Sequence, residues 1–160
     1  MRKIKAVPIT AENFRSYGSF SNILAPEGFS LGDFYPDQAH LPVSGRMPIT
    51  FSPLLTHKPE KMVVTMAEYH NYTGEGVVAM DDDVVLHVAP ASKDPVPQLT
   101  EAFLVPKGTA VCLNAGVWHL AALPVNLDEA HVLIVLPERT YNNDCVVVSY
   151  PEEDWVEIEL

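Results

Sequence analysis

Cysteine is scarce in this chain of 160 residues, which has only Cys112 and Cys145. Neither stands in a Cys-x-x-Cys pair, so the paired-thiolate metal motifs are excluded. Two reduced, buried thiols in a cytoplasmic protein are the expectation. Basic residues are also few: 10 Lys and Arg stand against 21 Asp and Glu, a net charge of −11. A nucleic-acid surface or an anionic membrane surface needs basic patches, so this balance argues against both as partners. Long apolar runs are missing too. The basic opening Met1-Arg2-Lys3-Ile4-Lys5 meets Pro8, Glu12 and Asn13 at once, which leaves no signal peptide or membrane span to read. There is no tandem repeat, low-complexity stretch or second domain. What remains is 48% hydrophobic and 19% charged, the composition of one globular domain able to bury its own core.

The chain begins with a strand over residues 3–9. Thr10 reads as a helix N-cap, with Ile9 and Phe14 placed for a hydrophobic staple. A short helix over about Ala11–Tyr17 follows, with Gly18 as its C-cap. Residues 21–48 carry Pro26, Gly28, Gly32, Pro36, Pro42, Gly45 and Pro48. They read as a long irregular arm with at most a short strand near Ser30–Tyr35. From Ile49 onward short β-rich runs recur: Ile49–Leu54, Lys61–Tyr69, Gly76–Met80, Val84–Ala89, Glu101–Val105, Ala110–Leu113, His119–Leu123, His131–Val135 and Cys145–Tyr150. Strands so short and so closely punctuated predict an all-β sandwich or barrel. The run Asp81-Asp82-Asp83 reads as a solvated hairpin turn, because the alternating spacing of a calcium loop is missing. The acidic tail Glu152–Leu160 reads as a cover over a sheet edge.

Four residues stand out as candidates for chemistry. Glu68 and His70 are two apart in a strand and share a face. Glu75 lies beyond a turn at Gly74, from which the next strand can return it beside them. His119 arrives some fifty residues later, after the Gly116 turn. Imidazole and carboxylate together suit zinc, manganese, iron or nickel. Without a metal, His70 or His119 could act as a base beside Glu68.

These residues resemble the two motifs of the cupins. The first motif is approximated by Glu68-x-His70, four residues, Glu75, six residues, Asp82. The second is approximated by Asn114-x-Gly116-x-x-His119. Glu68, Asp82 and Asn114 each replace the residue the motif usually has. Within the cupins the chain resembles the ureidoglycolate lyases, also called ureidoglycolate hydrolases. The segments Ile9–Gly18, Glu68-Tyr69-His70, Gly116-Val117-Trp118-His119 and Asn142-Asn143-Asp144-Cys145 carry the likeness.

The resemblance implies a mostly β fold: a double-stranded β-helix, or RmlC-like jelly roll, with a short N-terminal helix. One cupin domain would span residues 1–160, with helix and arm over about 1–48. It implies a carbon–nitrogen lyase that releases urea from ureidoglycolate to give glyoxylate, in allantoin and purine breakdown. The substrate would be a small polar acid, and the protein a homodimer. Glu68, His70 and His119 would be catalytic, and Glu68, His70, Glu75 and His119 the ligands of one divalent transition metal. Two other readings fit the same residues. One is a metal-dependent cupin isomerase or dioxygenase, favoured by Glu75 standing where the family carries Gln. The other is a cupin that binds a small molecule without turning it over. Arg46, Lys61 and Arg139 are the candidates for holding the substrate carboxylate, His87 and His131 could line the same cavity, and Trp118 is expected to pack beside it. His40 and His57 read as loop residues.

Overall fold

The computed structural model describes all 160 residues, Met1–Leu160. Strand β1 (Arg2–Pro8) leads into helix α1 (Ala11–Phe14). Thr10 caps that helix as its sequence requires: its hydroxyl accepts the Asn13 N–H, and the Asn13 side chain accepts the Thr10 N–H. Ile9 packs on the same apolar cluster as the buried Phe14. The helix ends three residues sooner than expected. Gly18 is not its C-cap but the first residue of strand β2 (Gly18–Asn22). A Cβ at Gly18 would lie 1.9 Å from the carbonyl oxygen of Cys112, so only glycine lets β2 lie this close to its neighbour. Residues 23–48 then hold no helix and no regular strand beyond isolated bridges at Leu31–Phe34 and Val43–Thr73.

The remaining strands are β3 (Ile49–His57), β4 (Met62–Val64), β5 (Met66–Tyr69), β6 (Glu75–Ala79), β7 (Val84–Ala89), β8 (Glu101–Val105) and β9 (Thr109–Leu113). They continue with β10 (Trp118–His119), β11 (Leu123–Pro124), β12 (Glu129–Pro137), β13 (Val146–Ser149) and β14 (Val156–Glu159). A one-turn helix α2 (Thr140–Asn143) sits between β12 and β13. One sheet runs β2-β9-β6-β12-β3. The other runs β13-β5-β10-β7-β8-β1-β14-β4, with β11 also on β7. Strand β4 lies at one end of that order, yet only Thr65 separates it from β5 near the other end. The sheet must therefore curl back on itself. The result is a mostly β architecture of a curled half-barrel and a second sheet, consistent with a jelly roll.

The curl divides the core in two. Val84, Leu86 and Val88 of β7 face the other sheet and join Phe14, Phe103, Val111, Leu113, Val132 and Ile134. Val85 and Ala89, on the opposite face of the same strand, join Met62, Val64, Trp118, Val156 and Ile158 inside the curl. Strand β7 is buried on both faces, which explains a run that is apolar at every position but His87.

Two expectations from the sequence are corrected here. The acidic tail does not cover an edge: β14 is an interior strand, parallel to β1 and antiparallel to β4. Its Val156 and Ile158 face the core while Glu157 and Glu159 alternate away, a strand pattern hidden by the charge count. Nor is the Asp81–Asp83 run simply solvated. Asp82 is buried, and its carboxylate accepts the backbone N–H groups of Val125, Asn126 and Leu127 and the Asn126 side chain. Asp81 accepts the His131 N–H and Asp83 the Lys107 N–H. The three carboxylates tie the β6–β7 turn to its neighbours.

Candidate metal centre

Strand pairing brings the four residues to one end of the barrel. Glu68 on β5 lies directly opposite His119 on β10, so their side chains rise from the same face. His70 follows the end of β5. The chain then turns at Gly74, where a Cβ would lie 2.2 Å from the Leu113 carbonyl oxygen, and Glu75 opens β6. One ligand atom from each of Glu68, His70, Glu75 and His119 lies within 4.8 Å of the others. His70, Glu75 and His119 are only 2%, 4% and 2% exposed, and Glu68 is half-buried.

Both imidazoles are oriented by backbone carbonyls. His70 Nδ1 lies 2.7 Å from the Asp144 carbonyl oxygen, and His119 Nδ1 lies 2.9 Å from that of Val117. A carbonyl can only accept, so each Nδ1 carries the hydrogen and each Nε2 turns inward. The two Nε2 atoms converge on one oxygen, Glu75 Oε2, at 2.9 and 3.3 Å. A neutral ring would aim a lone pair at a carboxylate there, so the arrangement calls for positive charge between them. A proton or a metal cation supplies it. Burial alone would push Glu75 up; the hydrogen bonds from His119 and His70, and the charge of both rings, outweigh it and hold the carboxyl at about 2. Burial pushes His119 down, but Glu75, the Val117 carbonyl and Glu68 together raise it.

A second layer fixes this donor set. The Asp144 carboxylate accepts the N–H groups of Asn71 and Tyr72 at 2.7 and 2.8 Å, which pins the turn that carries His70. The Cys145 thiol lies 3.2 Å from Glu68 Oε2 and donates to it; burial, then Glu68, pushes that thiol up to about 12. Gly116, at a φ of 81°, donates its N–H to the His70 carbonyl, so the two motifs are bonded to each other. The Tyr141 ring stands edge-on to His70, with centroids 6.1 Å apart.

The other candidates lie elsewhere. His87 is buried, but on the face of β7 that points into the curl with Val85 and Ala89. His131 is exposed and paired with Asp81, and His57 closes β3 beside Glu129. His40 is exposed on the arm. Arg46 and Arg139 are exposed, the latter bonded to Glu138, and Lys61 lies beside Lys58 and Glu157 at the start of β4. None of these cations bonds to the four clustered side chains. Trp118 packs against Tyr69 next to the site, with its indole N–H on Ser92. Both cysteines are free thiols. Of the surrounding residues, Tyr141 carried no sequence signal, whereas Asp144 and Cys145 lie in the polar Asn142–Cys145 segment.

Comparison with protein families gives one decisive result: the ureidoglycolate lyase model matches residues 34–157, well over half of the chain. The chain belongs to that family. The family lies in the cupin superfamily, and membership makes this protein a lyase acting on ureidoglycolate in purine catabolism. A search of the curated proteins finds no match. The matched span contains Glu68, His70, Glu75 and His119, and begins within the arm. No helix is long and apolar enough to cross a membrane.

Proposed function

We propose that the lyase reaction takes place at the Glu68–His70–Glu75–His119 cluster, with one divalent first-row transition ion held by His70, Glu75 and His119. The observation that carries this reading is the convergence of both Nε2 atoms on Glu75 Oε2. Two neutral imidazoles and a carboxylate form a donor set that fits zinc, manganese, iron or nickel, and does not suit calcium. Such an ion would lower the pKa of the substrate hydroxyl and orient the small acid.

The chain's residues do the rest. Ureidoglycolate carries its hydroxyl and its ureido nitrogen on the same carbon. Cleavage removes the hydroxyl proton, forms the aldehyde C=O of glyoxylate and breaks the C–N bond. The electron pair leaves with nitrogen, which takes a proton to become urea. No net proton is gained or lost, so one carboxylate can collect the proton from oxygen and return it to nitrogen. Glu68 is the residue proposed for this step. It is the one member of the cluster that is not fully buried. The Cys145 thiol fixes one of its oxygens, and the other remains for the substrate.

The finer expectations belong to the same reading. The two sheets are taken as a cupin double-stranded β-helix, and residues 1–160 as one domain. Two free thiols agree with a cytoplasmic setting. Apolar residues exposed on β3, Phe51 at 68% and Leu55 at 45%, support a homodimer. Glyoxylate release from ureidoglycolate tests the reaction. The Glu68→Gln variant, which keeps shape and loses the base, is expected to drop kcat by about a hundredfold or more. Unchanged turnover in that variant would remove Glu68 from the mechanism.

A further inference from the structure

Tyr141 occupies a position the reaction scheme above does not use. It lies on α2, which is held from both ends: the buried Thr140 hydroxyl donates to the Pro137 carbonyl, and the Asp144 N–H donates to the Thr140 carbonyl. Asp144 in turn binds the backbone of Asn71 and Tyr72 and the ring of His70. The helix is thus fastened to the same turn that carries the metal-ligand candidate. From it the Tyr141 ring stands over His70 at an interplanar angle of 86°, with 55% of the residue exposed. Its hydroxyl has no protein hydrogen-bond partner. A large aromatic side chain mounted beside His70, half open to solvent and unbonded at its polar tip, is available to a molecule bound at the site.

We infer that the Tyr141 hydroxyl is a specificity-determining contact that donates a hydrogen bond to the ureido carbonyl of the substrate. The inference rests on the ureidoglycolate reading and adds the residue that selects for the urea half. The division of the substrate between ion and protein decides which half it meets. In the reading above, the ion on His70, Glu75 and His119 takes the hydroxyl and the carboxylate of the substrate, which leaves the ureido group as the half free for another contact. The ureido carbonyl is an acceptor, and the unbonded phenol is a donor for it.

Two stable acids separate the halves of the substrate. N-carbamoylglycine carries the ureido group and the carboxylate, and glycolate carries the hydroxyl and the carboxylate. Calorimetric binding of each to the metal-loaded protein is the test, in the wild type and in Tyr141→Phe. The variant is expected to bind N-carbamoylglycine about tenfold more weakly and glycolate within twofold of wild type. Its Tm should match the wild type, because only an unbonded hydroxyl is removed. Equal loss for both acids, or loss for neither, overturns the inference while ureidoglycolate turnover by the wild type still stands. A wild type that binds neither acid and releases no glyoxylate overturns the inference together with the reading beneath it.

Discussion

Asp144 holds His70 from 74 residues away, and does so with two different groups. Its backbone carbonyl accepts the ring Nδ1–H at 2.7 Å, and its carboxylate accepts the N–H groups of the two residues that follow His70. The first contact sets the tautomer and the second sets the turn. Partners of this kind tune metal affinity without touching the ion. Asp144→Ala keeps the carbonyl and loses the carboxylate latch. Metal affinity is expected to fall about tenfold, measured by competition with a chelator of known strength. Unchanged affinity would mean that the turn is held without Asp144.

His87 gives the protein a sensitivity to acid that is separate from the site. It is 4% exposed among Val85, Ala89 and Ala102. Burial, with a smaller contribution from the His119 charge, holds its pKa at about 3. An unfolded chain has this group near 6.5. Below about pH 6.5 the unfolded state therefore binds a proton that the folded state refuses. The stability is present above pH 6.5 and is lost as pH falls toward 3, at no more than about 1.4 kcal/mol per pH unit. Two other groups act outside the upper part of this window. The raised His119 contributes stability that is lost above pH 6.5, and the depressed Glu75 contributes stability that is lost from about 4.5 down to about 2. His87→Leu should consequently flatten the fall between pH 6.5 and 4.5. Urea midpoints across that range check it; parallel curves for the two proteins would show that His87 can take its proton while folded.

Much of this fold is legible in the sequence, and the exceptions have identifiable causes. Glu68 and His70 do converge, although β5 ends at Tyr69 and His70 stands just beyond the strand, and Glu75 returns after the Gly74 turn. The expected runs at Val84–Ala89 and Glu101–Val105 coincide with β7 and β8 residue for residue. The run Lys61–Tyr69 divides at Thr65 into two strands, because the curled sheet must bend there. Strand β2 escaped notice because Gly18-Ser19-Phe20-Ser21-Asn22 has only one large apolar residue. It is held by its ladder with β9, from Gly18 on Leu113 to Asn22 on Thr109, which is a tertiary contact and leaves no local periodicity.

At the site, side-chain types and spacing were legible while the supporting layer was not. The carbonyls of Val117 and Asp144 that orient the imidazoles leave no trace in residue identity, since every residue has a carbonyl. The inward face of His87 depended on how the sheet curls, because a strand apolar on both faces does not say which of two cores a given side chain joins. Asp82 looked like part of a solvated turn because its partners, Val125 to Leu127, are some forty residues distant in sequence.

The most direct measurement is a titration of metal-free protein with a divalent transition ion while glyoxylate release from ureidoglycolate is followed. Activity is expected to rise linearly, to break at one equivalent per chain, and to be lost in His119→Ala, which removes one of the two Nε2 donors facing Glu75. Full turnover by metal-free wild type, insensitive to chelator and indifferent to His119→Ala, would contradict the account.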